Sequence, residues 1–156
     1  MEKTNVMRIL DKHKLAYKSY SYDAQTALSG SEVADALGED HNQVFKTLVA
    51  VGKSKNHYVF MIPVDKELDL KKAAESVKEK AVDMLKSKEL LPLTGYIHGG
   101  CSPIGMKKFF TTVIDSTAAN FDTIIFSGGK IGYQVETSPD NLAKIIRFSF
   151  APLTAD

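Results

Sequence analysis

The chain has one cysteine, no tryptophan and almost no net charge: 20 Lys and Arg against 19 Asp and Glu leave +1 at pH 7 with histidine neutral. A single cysteine excludes an internal disulfide and a cysteine-built zinc site. A charge of +1 excludes a chain that grips nucleic acid through its overall potential, and DNA is not an expected partner. No apolar run is long enough to span a bilayer, and the opening MEKTNVMRILDKHKL is charged throughout, without the apolar centre of a signal peptide. Pro/Ser-rich linkers, low-complexity tracts, repeats and blocks of like charge are missing as well. These absences predict a cytoplasmic protein without membrane contact, organised as one domain over residues 1–156.

What is present alternates between helix and strand signals. Val6, Ile9 and Leu10 share a helical face over residues 4–14, and YKSYSYD (17–23) reads as a tyrosine-rich strand. Ser29 and Glu32 form a capping-box pattern before a short helix that stops at Gly38. Two apolar runs, VFKTLVAV and HYVFMIPV, flank the turn GKSKN and predict a hairpin. Asp69 caps the next helix, a short strand follows near Ala81–Met84, and a short helix near Lys86–Leu91. The second half is mainly β. FFTTVID is a strand, DTIIFSGGKIGYQVET a second hairpin, Ser138-Pro139 a helix start, and RFSFAPL an edge strand. The resulting expectation is an α+β domain with a curved, barrel-like, mostly antiparallel mixed sheet surrounded by short helices.

Few site chemistries survive inspection. His13, His41, His57 and His98 have no metal-ligand spacing, and no metal or cofactor is expected; Walker, dinucleotide and Gly-x-Ser-x-Gly fingerprints are missing. Cys101, with His98 three residues before it, forms a weak nucleophile–base pair, and packing beside two glycines is the better reading of that thiol. Two features stand out. Lys46 interrupts a run that is apolar on both strand faces, where an ammonium needs a partner or a pocket. Gly99-Gly100-Cys101-Ser102-Pro103-Ile104-Gly105 can bring backbone N–H groups close to a phosphate or carbonyl oxygen, although tight turns alone would explain it equally well. Lys53, Lys55, Lys71, Lys72, Lys107, Lys108 and Lys130 are candidates for a local basic rim.

VFKTLVAV, LDLKKAAE, TGYIHGGCSPIGMKK, TVIDS and FSGGKIGYQVE occur in an order and spacing that resemble the YbaK/EbsC family, over nearly the whole chain. Members of that family resemble the editing domain of bacterial prolyl-tRNA synthetase and deacylate mischarged tRNA. The resemblance implies a small barrel-like mixed sheet, an aminoacyl-tRNA substrate and a functional association with prolyl-tRNA synthetase. It places the family's essential lysine on Lys46 and its glycine–proline loop on Gly99, Gly100, Ser102 and Pro103. The family's tyrosine falls on Tyr22, with Tyr20 one pleat away as the alternative. One position departs: Gln134 stands where many relatives carry an acid, so a role in pairing with an amino group would pass to an amide. The branch that the resemblance favours removes cysteine from tRNA(Pro) with help from the substrate's own thiol. Hydrolysis of Ala-tRNA(Pro), or a non-catalytic module binding tRNA ends or the synthetase, are the alternatives.

Overall fold

A computed structural model of the chain describes residues 2–25 and 29–155. Helix α1 (Asn5–Lys12) starts where the Thr4 hydroxyl accepts from the Met7 N–H at 3.2 Å, and it buries Val6, Met7 and Leu10 on one stripe. Strand β1 (Lys18–Ser21) follows. Helix α2 (Gly30–Leu37) carries the reciprocal Ser29–Glu32 capping box and ends at Gly38, whose φ of 68° is the left-handed conformation glycine adopts most easily.

Strands β2 (Phe45–Gly52) and β3 (His57–Pro63) form the expected hairpin. The Asp69 carboxylate then accepts from the Lys71 and Lys72 N–H groups and caps α3 (Leu70–Ser76). After β4 (Val82–Met84) and α4 (Ser87–Thr94), an irregular segment leads to β5 (Thr111–Asp115) and a 3-10 turn at Ser116–Asn120. The hairpin β6 (Ile124–Ser127) and β7 (Tyr133–Thr137) comes next, then α5 (Pro139–Leu142) and β8 (Phe148–Ala151). Helix α5 ends before Ile145 and Ile146, which pack partly buried against the core from the turn beyond it.

The α+β class and the predominance of antiparallel pairs agree with the sequence, but the strands do not close into one barrel-like sheet. They form two sheets, β1-β7-β6 and β4-β2-β3-β5-β8, joined through a parallel bridge between Val44 and Ile125. The reason lies in β2: backbone pairing with β6 is confined to that bridge just before its first residue, while its far end is taken by β4 at Ala50–Gly52. The β3–β5 and β5–β8 pairs are parallel, each reached by a long crossover, as parallel pairing requires.

The principal core lies between the two sheets. Phe45, Met61 and Ile114 from one meet Ile124, Phe126 and Val135 from the other, with α1 closing one end. On the opposite face of the larger sheet, Phe60, Ile62 and Val113 pack against Ala73 and Ala74 of α3. Both faces of β3 are therefore covered, which explains its unbroken apolar run, while β2 is covered except around Lys46–Leu48. Each large side chain so buried contributes about 1.5–3 kcal/mol.

Candidate active site

The site arises where β2 and β6 diverge. Val64 donates to the Val44 carbonyl across the hairpin at 2.9 Å, so the peptide groups of even-numbered residues in this part of β2 face β3. Pro63, which has no N–H to offer, sits opposite Phe45 in agreement with that parity. The peptides of Phe45, Thr47 and Val49 consequently face the other edge. There Ile125 donates to Gln43 and Leu85 to Val49, each at 3.0 Å, and between these bonds no strand lies opposite Thr47. A cavity of about 400 Å³ fills the gap.

Its walls are mostly apolar: Phe45, Val49, Val64, Leu90 and Phe126 contribute. Lys46 is the one Lys or Arg among the described lining residues, and no Asp or Glu lies among them. The half-buried Lys46 has no hydrogen bond or ion pair with any described residue. Ser31 and His41 hold the nearby Asp65 carboxyl below the usual range, and the Lys46 charge adds to that effect. Next to Lys46, Thr47 also borders the cavity, and its hydroxyl is buried without a hydrogen-bond partner among the described residues. A buried hydroxyl left unsatisfied costs about 1–3 kcal/mol.

Tyr22 and Tyr20 part company. Tyr22 lines the cavity, whereas Tyr20 packs with Val44 and Ile125 and donates its hydroxyl to Glu136 at 2.5 Å. That contact, followed by burial, pushes the Tyr20 phenol up to about 12. Gln134, 6% exposed, reaches the cavity from β7. Its amide nitrogen lies 2.7 Å from Glu39 Oε2 and 3.1 Å from Oε1. This orientation is assigned from the network, because turning the amide over would set its oxygen against a carboxylate.

Of the glycine–proline loop, Gly99 reaches the cavity, with a φ of 87° and the Ile131 side chain 3.6 Å from where a Cβ would stand. Gly100, Ser102 and Pro103 are buried beneath it: the Gly100 N–H donates to Ile97 O at 3.0 Å, and the Ser102 hydroxyl accepts weakly from Ile104 at 3.4 Å. Their place is to hold the loop against the β6–β7 turn. Cys101 also lines the cavity, packed with Val49 and Val59, and burial pushes its thiol up to about 12. No hydrogen bond joins it to His98. Thus Lys46, Tyr22, Gly99 and Gln134 converge on one cavity, and Tyr20, Gly100, Ser102 and Pro103 support it from behind.

Sequence reasoning passes over Thr47 and Glu39. Thr47 gives one signal, a hydroxyl in an apolar strand directly after the lysine; Glu39 gives none, since it follows a helix-ending glycine like any surface acid. Of the seven lysines of the suggested basic rim, three are engaged elsewhere. Lys130 pairs with Glu2 at 2.7 Å, Lys107 reaches Pro92 O and Lys72 reaches Thr154 O.

An α+β fold that holds an apolar cleft between two splayed sheets, with one lysine and no lining carboxylate, defines a small-ligand site suited to an electron-rich group such as an ester or phosphate. Residues 24–145 match the family of aminoacyl-tRNA editing domains, and the chain belongs to that family. It is 44% identical over 154 residues to a protein of Enterococcus faecalis that bears the provisional name Cys-tRNA(Pro)/Cys-tRNA(Cys) deacylase EbsC, covering 98% of this chain and 94% of that one. Among solved structures, one described provisionally as a trans-editing enzyme for prolyl-tRNA synthetase superposes with a TM-score of 0.83 at 24% identity, over the full length of both chains. The hypothetical protein APE2540 gives 0.84 at 22% identity, over 97% of this chain and all of that one.

Proposed function

We propose that the protein is a free-standing aminoacyl-tRNA deacylase that removes mischarged cysteine from tRNA(Pro), with the substrate's thiol as nucleophile. The observation that carries this reading is the chemistry of the cavity wall: it holds Lys46, the Gln134 amide and the hydroxyls of Ser87 and Ser127, and no described hydrogen bond from His98 activates either serine or Cys101 as a nucleophile. Cys101, the one thiol there, is held protonated by burial. An aminoacyl ester is already activated, so the protein has chiefly to position it and stabilise charge on oxygen.

In this reading the 3′ end of the tRNA enters the cleft between β2 and the Gly99 loop. Lys46 and the Thr47 hydroxyl stabilise negative charge on the ester carbonyl or on the departing ribose oxygen. Tyr22 and Gly99 bound the amino-acid side chain, and Gln134 accepts from its amino group. The cysteine sulfur attacks its own carbonyl carbon; the new C–S bond closes a four-membered thiolactone, the ester C–O bond breaks, and the thiol proton passes to the ribose oxygen. Serine is rejected because its hydroxyl does not ionise near neutral pH, whereas a thiol of pKa about 8.5 is partly ionised.

Association with prolyl-tRNA synthetase belongs to the same reading and supplies tRNA contacts that a net charge of +1 leaves thin. A cytoplasmic location fits this task; among the described residues no helix is long and apolar enough to cross a membrane.

The test charges tRNA(Pro) with cysteine, alanine or 2-aminobutyrate, whose side chain replaces the thiol with a methyl. Selection by shape alone would spread the cysteine and 2-aminobutyrate rates by only about 10- to 200-fold. Thiol assistance predicts near-complete loss with 2-aminobutyrate and a cyclic sulfur product from cysteine, visible by mass spectrometry. Comparable cleavage of all three esters would replace this reading with a water-using, alanine-editing enzyme; binding without cleavage would replace it with a binding module.

A further inference from the structure

Gln134 places an uncharged amide where an amino group has to be recognised, yet a carboxylate stands directly behind it. Glu39 comes from the chain just after α2 and lies against the Gln134 nitrogen at 2.7 and 3.1 Å. Its backbone is fixed: Gly38 turns through positive φ, and the Glu39 N–H donates to Ala34 O at 2.8 Å. The neighbouring acid, Glu136, is otherwise engaged, accepting from Tyr20 at 2.5 Å and from Thr123 at 2.6 Å. Glu39 has no such second partner among the described hydrogen bonds, and holding it half-buried needs a return.

We propose that Glu39 is a positioning residue for the aminoacyl group: it holds the Gln134 nitrogen, so that the carbonyl oxygen at the other corner of the amide is turned towards hydrogen-bond donors and accepts from the substrate's α-ammonium. The inference rests on the deacylase reading above. It makes Glu39 and Gln134 a two-part acid, one residue providing the charge and the other the contact. An ammonium hydrogen-bonded to that oxygen sits one amide away from a carboxylate and polarises the bridge in the same sense from both sides.

The experiment compares the unmodified protein with Glu39→Ala, Glu39→Gln and the double variant Glu39→Ala/Gln134→Glu. It uses Cys-tRNA(Pro) as substrate and an N-acetylated Cys-tRNA(Pro), whose nitrogen carries no charge, as competitor. Glu39→Ala is expected to raise KM about 10-fold or more, the scale of a charge-assisted hydrogen bond, with kcat within a few-fold. Its Ki for the N-acetylated competitor should stay at the unmodified value. The double variant, which puts a carboxylate directly at the contact, should bring KM back to within a few-fold. Should Glu39→Ala fail to fold, Glu39→Gln keeps the shape and carries the same comparison. An unchanged KM, or equal weakening of both ligands, would assign Glu39 to packing alone and overturn the inference. Absence of turnover by the unmodified protein would instead overturn the deacylase reading beneath it.

Discussion

Tyr22 donates its backbone N–H to the carbonyl of Gly132 at 2.9 Å, which ties the end of the tyrosine strand to the turn between β6 and β7. Gly132 has a φ of 102°, and a Cβ there would stand 3.2 Å from both the Tyr22 carbonyl and the Ala24 side chain. Gly132→Ala should therefore destabilise the fold by about 1–3 kcal/mol through backbone strain and crowding. It should also displace Tyr22 and lower deacylation more than the melting shift explains. Activity assayed well below the melting temperature measures the second effect.

Lys46 is half-buried and makes no hydrogen bond or ion pair with a described residue, Asp65 feeling its charge only at a distance. Lys46→Met, which retains the aliphatic stem, should abolish deacylation while the fold survives with equal or higher stability, because a charge is removed from partly apolar surroundings. Thermal melting and single-turnover deacylation check both halves, and a folded, fully active variant would remove Lys46 from the mechanism.

The orphan hydroxyl of Thr47 gives a prediction with opposite signs. Thr47→Val replaces an unsatisfied buried hydroxyl by a methyl of similar shape, so stability should hold or rise by up to about 1 kcal/mol. If the hydroxyl stabilises charge on oxygen, kcat should fall tenfold or more, and Thr47→Ser should restore most of it. Loss of stability together with unchanged kcat would show that the hydroxyl serves the fold.

Cys101 gives the control for a protein nucleophile. Cys101→Ala should keep activity within a few-fold and cost about 1 kcal/mol from the small space left beside Val49 and Val59. Complete loss of turnover at unchanged melting temperature would restore Cys101 as the attacking group.

His41 bridges α2 to the chain after β3, its Nε2 on Asp35 and its Nδ1 on Asp65, each at 2.7 Å. The Asp35 and Asp65 contacts raise the His41 pKa, and Ser31 and His41 lower that of Asp65. A raised histidine contributes fully below its unfolded value of about 6.5 and loses its contribution as pH climbs through the folded value. A lowered carboxyl contributes above its unfolded value of about 3.9 and loses its contribution as pH falls through the folded one. The melting advantage of the unmodified protein over His41→Asn should therefore be greatest between about pH 4 and 6.5 and shrink towards pH 8. A difference independent of pH would show that the bridge carries no charge.

Local signals in the sequence were read at full strength. The Ser29–Glu32 box, the Gly38 stop, the Asp69 cap and both hairpins depend on residues within a few positions of one another, and each stands where the pattern puts it. The split into two sheets and the parallel placement of β5 and β8 were not legible, because they depend on partners far along the chain. Tyr20 and Tyr22 show the limit most clearly. Both have the same strand parity, so alternation cannot separate them; β1 ends at Ser21, and the bond to Gly132 sets the course of the chain at Tyr22. Glu39 and Gln134 meet only after α2 has been laid against β7, so the departure at Gln134 was visible in the sequence and its neighbour was not.

A thiol held near pKa 12 also protects the protein from its own task. Activated esters acylate thiolates readily, and a cavity that handles them at every turnover would steadily modify an ionised cysteine in its wall. At neutral pH burial keeps Cys101 in its thiol form, whereas an ordinary exposed thiol is ionised to the extent of a few per cent. The apolar packing around Cys101 thus works as chemical insulation for the one thiol that the protein itself brings to the chamber.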